Sequence, residues 1–216
     1  MPRKLIPLQA FALLFMVAGA TDALIYRHSR DLLAVYMTGN TSHVGQHLAL
    51  GDGAGTLPLL GVIATFFFAT TAGAWLGDRA GLWRATLIML LTATLVTAAW
   101  ALAETRGYSY RTVLCIAAGM GMLNQVSARE SGVTFLTGML VRTGRAVASG
   151  HFREVFTGLM RWMAMIAGAA IATVLDERYG EHSLLFIIGA LIAGAMMTTG
   201  YVMAIRADTA KAEAGR

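Results

Sequence analysis

Charge is scarce in this chain: 13% of its 216 residues are Asp, Glu, Lys or Arg, where soluble domains carry about a quarter. That shortage excludes an ordinary water-soluble domain of useful size. Cysteine is scarcer still. A lone Cys115 cannot build an internal disulfide framework, and its apolar surroundings favour packing over reactivity. Also missing are a nucleotide-binding glycine loop, a Ser-His-Asp spacing in a catalytic context and an HExxH motif. The chain is therefore read as not an enzyme, with no cofactor and no resident metal.

What is present is apolar. Hydrophobic residues make up 56% of the chain, and the mean hydropathy is +0.61. The runs 5–26, 57–77, 85–103, 155–175 and 183–205 approach or exceed the roughly 18–20 residues that cross a bilayer. A shorter apolar core covers 113–126. The pattern predicts an all-α integral membrane protein, with residues 1–216 forming one membrane domain and 206–216 a polar cytoplasmic tail. The net charge of +5 then reflects charge on cytoplasmic loops rather than a nucleic-acid partner. The N-terminal MPRKLIPLQAFALLFMVAGATDA has the basic start, apolar middle and small-x-small Ala18-Gly19-Ala20 of a signal peptide. Its length, and a matching stretch later in the chain, favour a retained first helix.

That match belongs to a longer one. At an offset of 99, Thr38-Gly39 falls on Thr137-Gly138, Gly45 on Gly144, Ala49 on Ala148 and Gly51 on Gly150. Leu60, Leu76, Arg79 and Gly81 likewise meet Leu159, Leu175, Arg178 and Gly180, making nine identities over the 44 positions 38–81. At an offset of 102, Gly19 meets Gly121 and Asp22 meets Asn124. The chain reads as two tandem units, 5–104 and 110–205, each with three apolar helices and one segment around Thr-Gly.

The Thr-Gly segments, 32–50 and 132–149, are the weakest hydrophobic stretches, and the second carries Arg142 and Arg145. Interrupted segments at matching places in two halves are a sequence pointer to a transporter's binding site. The reason is that backbone groups freed by a break are tolerated only against protein or a water-lined cavity. A helix restarting after Thr38-Gly39 would present its free N–H groups and positive dipole end to an anion or polar oxygen. If these segments dip in and return, the chain crosses six times and its halves are inverted. If they span, it crosses eight times with parallel halves. With the N-terminus inside, the six-crossing layout puts 12 of the 17 Lys and Arg inside, leaving Arg27, Arg30, Arg106, Arg111 and Arg178 outside. The eight-crossing layout puts 11 inside. Six crossings are favoured, because Arg142, Arg145 and the polar row 38–47 suit lipid poorly.

Candidate site residues follow from cost. Asp22 is the only acid in the first apolar segment, and an intramembrane acid normally faces a partner or cavity. It is read either as a ligand contact or proton carrier, or as an interfacial acid meeting Arg27, Arg30 or water. Thr38, Gly39, Asn40, Asn124, Thr137 and Gly138 complete the set. Their competing role is close helix packing through small and hydroxyl residues, which is the expected role of Gly45 and Gly144. His43 and His47 have the i, i+4 spacing of a metal pair, but the second unit has Arg142 and Ala146 there, so metal binding is disfavoured. His28, His151 and His182 are expected to face water.

Gly19-Ala20-Thr21-Asp22-Ala23, Met37-Thr38-Gly39-Asn40-Thr41, Asn124-Gln125 and Leu136-Thr137-Gly138 together resemble the YoaK-like family of uncharacterised bacterial multi-pass inner-membrane proteins, domain of unknown function family 1275. The resemblance covers nearly the whole chain. It implies a bacterial inner-membrane location and supplies no substrate. The functional expectation is a small permease or channel for a small polar or anionic solute, with its site at the two Thr-Gly breaks. The alternative is a non-transporting membrane protein whose Thr-Gly segments pack helices or dock a partner. The expected surroundings are the lipid bilayer and an unknown solute, with no nucleic acid. The oligomeric state is left open, a homo-oligomer included.

Overall fold

A computed structural model describes residues 8–29, 32–104, 107–128 and 132–214. They form eight helices: α1 (Leu8–His28), α2 (Met37–Ala49), α3 (Gly53–Ala80), α4 (Arg84–Leu102), α5 (Tyr110–Leu123), α6 (Leu136–Ala148), α7 (Phe152–Tyr179) and α8 (Leu184–Ala214). Three unbroken helical stretches, Gln9–His28, Gly53–Leu102 and Phe152–Ala210, are long and apolar enough to cross a membrane. Each of the two longer ones is folded by a three-ten turn into a pair of helices, α3 with α4 and α7 with α8.

The turns explain their glycines. Gly51 and Gly150 both take φ +69°, and Gly81 and Gly180 take +56° and +57°. Only a residue without Cβ adopts that region freely, so these four positions reverse the chain sharply. Capping sets other boundaries. The Asp52 carboxylate accepts from Gly55 N at the start of α3, and Ser109 Oγ accepts from Thr112 N at the start of α5.

Two trios of helices build the bundle, and each borrows one helix from the other part of the chain. In one trio α5 packs against α3 and α4; in the other α1 packs against α7 and α8; the trios join where α4 lies on α8. Glycine makes the tightest crossings possible. A Cβ added at Gly19 would lie 2.0 Å from the Met165 carbonyl oxygen, and one at Gly168 would lie 2.0 Å from that of Met16. In the other trio, a Cβ at Gly121 would lie 2.5 Å from the Phe66 oxygen. At these points backbone touches backbone, which dispersion forces reward only when no side chain intervenes. Between the trios, the buried hydroxyls of Thr86 on α4 and Thr198 on α8 are 2.9 Å apart.

Contacts at the helix ends define direction. At one end, Arg27 of α1 meets Asp176 of α7, Trp100 of α4 meets His182 at the start of α8, and Tyr110 of α5 donates to the Pro58 carbonyl of α3. At the other end, Arg84 of α4 reaches Asp78 of α3 and Gln125 after α5. There too, Arg161 of α7 lies over Phe11 of α1, and Arg206 of α8 lies over Trp83. Helices α1, α4 and α7 therefore run toward the Asp176 end, and α3, α5 and α8 toward the Arg84 end. The short helices α2 and α6 pack on the N-terminal parts of α3 and α7. Their hairpins consequently point to opposite ends, α2–α3 to the Asp176 end and α6–α7 to the Arg84 end.

Candidate functional site

Asp22 lies on α1 one turn beyond Gly19, half-buried between the core positions Thr21 and Leu24. Among the described residues nothing forms a hydrogen bond or ion pair with its carboxyl group. Its expected neighbour Arg27 is engaged elsewhere: Nε donates to Asp176 Oδ2 at 2.8 Å, and Nη2 donates to Glu177 Oε1. Arg30, the other expected partner, lies outside the described residues. An acid left unpaired in an apolar helix is costly and normally faces a polar cavity or ligand.

The Thr-Gly pairs open their helices rather than break them. Thr38-Gly39 and Thr137-Gly138 occupy the first turns of α2 and α6, and the non-helical chain precedes them. A physical reason is visible at each glycine. A Cβ at Gly39 would lie 2.6 Å from the Tyr36 ring, and one at Gly138 would lie 2.0 Å from the Phe135 ring. The aromatic residue before each helix folds back over the first turn, which only glycine leaves room for. Thr38 and Thr137 are exposed beside them.

Asn40 is fully buried. Its Oδ1 accepts from Leu33 N at 3.0 Å and its Nδ2 donates to Leu33 O at 2.6 Å. This amide pairing pins the chain before α2 onto the helix, satisfying backbone groups that could not remain bare in an apolar setting. Asn124 performs the same task from the end of α5. Thr134 N donates to its Oδ1 at 3.0 Å, and its Nδ2 donates to Thr134 Oγ1 at 2.9 Å. Gly132 lies flush against it, with a built Cβ only 2.3 Å from Asn124 Oδ1.

The candidate residues sit on different helices. Thr38, Gly39 and Asn40 sit on α2 against α3, in one trio, while Thr137 and Gly138 sit on α6 against α7, in the other. Asp22 belongs to the second trio. Gly45 and Gly144 also depart from expectation: nothing lies within 4 Å of a Cβ built on either, so they are not packing contacts within this chain. His47 Nδ1 lies 2.8 Å from Asp52 Oδ2. The Gly55 N–H first, and this contact second, hold the Asp52 carboxyl below the usual carboxylate range. Among the described residues, no group of three His, Cys, Asp or Glu could hold a metal ion.

Sequence reasoning missed a buried polar cluster around Asp176. The Asp176 side chain is 3% exposed and meets Arg27, His28 and Ser183; His28 Nε2 lies 2.7 Å from Asp176 Oδ1. His28 was expected to face water, yet it also stacks on Tyr108, ring centroids 4.7 Å apart. The Tyr108 hydroxyl is buried without a hydrogen bond. Burial raises its pKa, and the nearby Asp176 charge raises it further. One signal existed in the sequence. At the offset of 99, Asp176 and Ser183 fall on Gly77 and Arg84. In the structure the Arg84 guanidinium fills the space beside Gly77, 2.9 Å from a built Cβ, and donates to the Gln125 carbonyl at 2.7 Å. Matching places at opposite ends thus hold a buried carboxylate and a largely covered guanidinium.

Residues 10–197 match the model of a protein family described as a protein of unknown function, DUF1275. The chain belongs to this family. Among curated proteins it resembles one from Rhizobium meliloti (strain 1021) described as a UPF0700 transmembrane protein. That protein is 28% identical over 190 residues, covering 84% of this chain and 81% of the relative. No solved structure matches. The matched span includes the candidate residues of this section, from Asp22 to Ser183. The apolar runs expected from the sequence correspond to long apolar helices, and membrane embedding agrees with the relative's description.

Proposed function

We propose that this DUF1275 protein is a small membrane permease or channel for a small polar solute, with Asp22 as the group that meets the solute or carries a proton. The observation that carries this reading is the carboxyl group of Asp22, half-buried in an apolar helix without an ion pair or hydrogen bond among the described residues. Arg27, five residues further along α1, pairs with Asp176 instead.

The layout proposed is six crossings by α1, α3, α4, α5, α7 and α8 in two inverted units, with α2 and α6 as re-entrant helices. Supporting it are the equal lengths of α2 and α6, 13 residues each, and of α3 and α7, 28 each. The opposed directions of the two hairpins agree with inversion, as does the exchange of α1 and α5 between trios. The N-terminus is assigned to the inner side of a bacterial inner membrane, because Arg79, Arg84, Arg145, Arg153 and Arg206 share its end. Thr38 and Thr137 supply exposed hydroxyls at the starts of the re-entrant helices. Asn40 and Asn124 are assigned to holding those helices in place.

A second reading is favoured by a specific observation. Both Thr-Gly glycines accommodate an aromatic ring, and both asparagines are committed to loop backbone. A non-transporting protein would need the same devices. The two are separated by reconstituting the purified protein into liposomes and measuring proton and solute flux for the wild type and for Asp22→Asn. The permease reading expects flux that Asp22→Asn abolishes while helical content and melting stay near wild type. Flux equal in the variant and the wild type, or wild-type flux no greater than that of protein-free vesicles, rejects it.

A further inference from the structure

The two hairpins are alike in length and opposite in charge. In α2–α3, the positions matching Arg142, Arg145 and Arg153 are His43, Gln46 and Ala54. In α6–α7, all three arginines are exposed, and the only acid between 136 and 161 is Glu154. Arg142 and Arg145 are three residues apart, on one side of α6. Arg153 lies at the start of α7, just past the turn at Gly150. Close packing sets this geometry, since a Cβ built on Gly158 of α7 would lie 2.1 Å from Thr143 Oγ1 of α6.

Beside the arginines stand bulky apolar side chains with nothing over them. Val141 and Val147 on α6 and Phe156 on α7 are exposed, and Phe152 at the hairpin tip is 82% exposed. A basic helix carrying aromatic and aliphatic residues next to its charges has the composition of an element lying in a lipid interface. Guanidinium groups match phosphate oxygens through paired, charge-assisted hydrogen bonds. A site for free phosphate would have no use for Phe152 and Phe156, whereas a phospholipid satisfies both kinds of side chain at once.

We propose that the α6–α7 hairpin is a binding surface for anionic phospholipid. Arg145 and Arg153 hold headgroup phosphates of the leaflet at the Arg84 end, with the charge of Arg142 beside them, and Val141, Val147, Phe152 and Phe156 enter the acyl boundary. The α2–α3 hairpin, at the opposite end and without an arginine, has no such preference. The assignment does not depend on whether the protein transports anything.

Native mass spectrometry of the full chain in detergent, with phosphatidylglycerol or phosphatidylcholine added, tests it. The wild type is expected to retain phosphatidylglycerol in preference to phosphatidylcholine. The triple variant Arg142→Gln, Arg145→Gln, Arg153→Gln should lose phosphatidylglycerol affinity by roughly tenfold or more, since each surface arginine contributes about a fivefold factor. The corresponding triple lysine variant should keep most of it, and Arg111→Gln with Arg178→Gln, at the other end, should keep all. Equal retention by the glutamine triple overturns the proposal, as does equal retention of the two lipids by the wild type. Displacement of phosphatidylglycerol by excess inorganic phosphate would instead mark a free-anion site and also overturns it. Should the glutamine triple lose helical content, Arg145→Gln alone provides the comparison.

Discussion

Arg27 on α1 and Asp176 on α7 are 2.8 Å apart, although 149 residues separate them in the chain. The contact ties the end of the first helix to a helix from the other half of the sequence, at a point where the Asp176 side chain is almost wholly enclosed. Removing the Asp176 carboxylate takes a partner from Arg27, His28 and Ser183 at once, while the exposed Arg27 keeps Glu177. Through these lost hydrogen bonds Asp176→Ala is expected to lower stability by about 1–3 kcal/mol, read as a fall in the melting temperature of the detergent-solubilised protein. Glu177→Ala removes an exposed partner of the same arginine and should cost less than about 1 kcal/mol. Similar losses for both would mean that the enclosure of Asp176 has no energetic consequence.

Glycine substitutions should separate close approach from mere helix composition. Gly19→Ala and Gly168→Ala force a methyl group onto a facing carbonyl oxygen, and each is expected to cost about 1–3 kcal/mol. Gly45→Ala and Gly144→Ala meet open space inside helices, so each should be neutral or add up to about 1 kcal/mol. Melting curves of the four single variants check this. Destabilisation by Gly45→Ala of the same size would show that α2 is covered by something outside this chain.

Asn40→Ala removes both hydrogen bonds to Leu33 and leaves a buried N–H and C=O without partners. The expected cost is about 2 kcal/mol, with hydrogen exchange rising first in residues 32–36 rather than uniformly. Asn124→Ala should act in the same way on residues 132–135. Uniform exchange throughout either variant would contradict the local pinning role.

The Asp52 carboxyl is held below its ordinary range by the Gly55 N–H first and His47 second. A carboxyl depressed in the folded state stabilises it above the unfolded carboxylate pKa, and that contribution disappears as pH falls through the lower folded value. Acid should therefore weaken the α2–α3 hairpin. In Asp52→Asn this part of the acid-induced loss of stability should be absent while the rest of the acid limb persists. Superimposable acid limbs for the two proteins would remove Asp52 from the account.

The long apolar helices were legible because composition and run length report directly on burial in lipid, and the helix-turn glycines at 51, 81, 150 and 180 were visible as matched identities. The role of Thr38-Gly39 was harder to read. A polar, small pair suggests a break, whereas what demands the glycine is the ring of Tyr36 three residues earlier, a contact that no period or propensity reveals. Asn40 and Asn124 share no register, yet each pins the chain before a short helix; the equivalence is one of geometry rather than of sequence position. Asp176 stayed hidden because an acid near a helix end reads as solvent-facing. Its burial comes from α1, which arrives from the far end of the chain. The opposite signs at Asp176 and Arg84 could have been noticed from the offset alone, but not that both are enclosed.

The account depends most on Asp22. The decisive measurement is proton and solute flux into liposomes containing wild type, Asp22→Asn or Asp22→Glu protein, with each protein shown by circular dichroism and melting to be folded. The account predicts flux in the wild type, loss of it in Asp22→Asn and partial recovery in Asp22→Glu. Flux that is unchanged in Asp22→Asn, or absent from the wild type for every small polar solute and for protons, would contradict it.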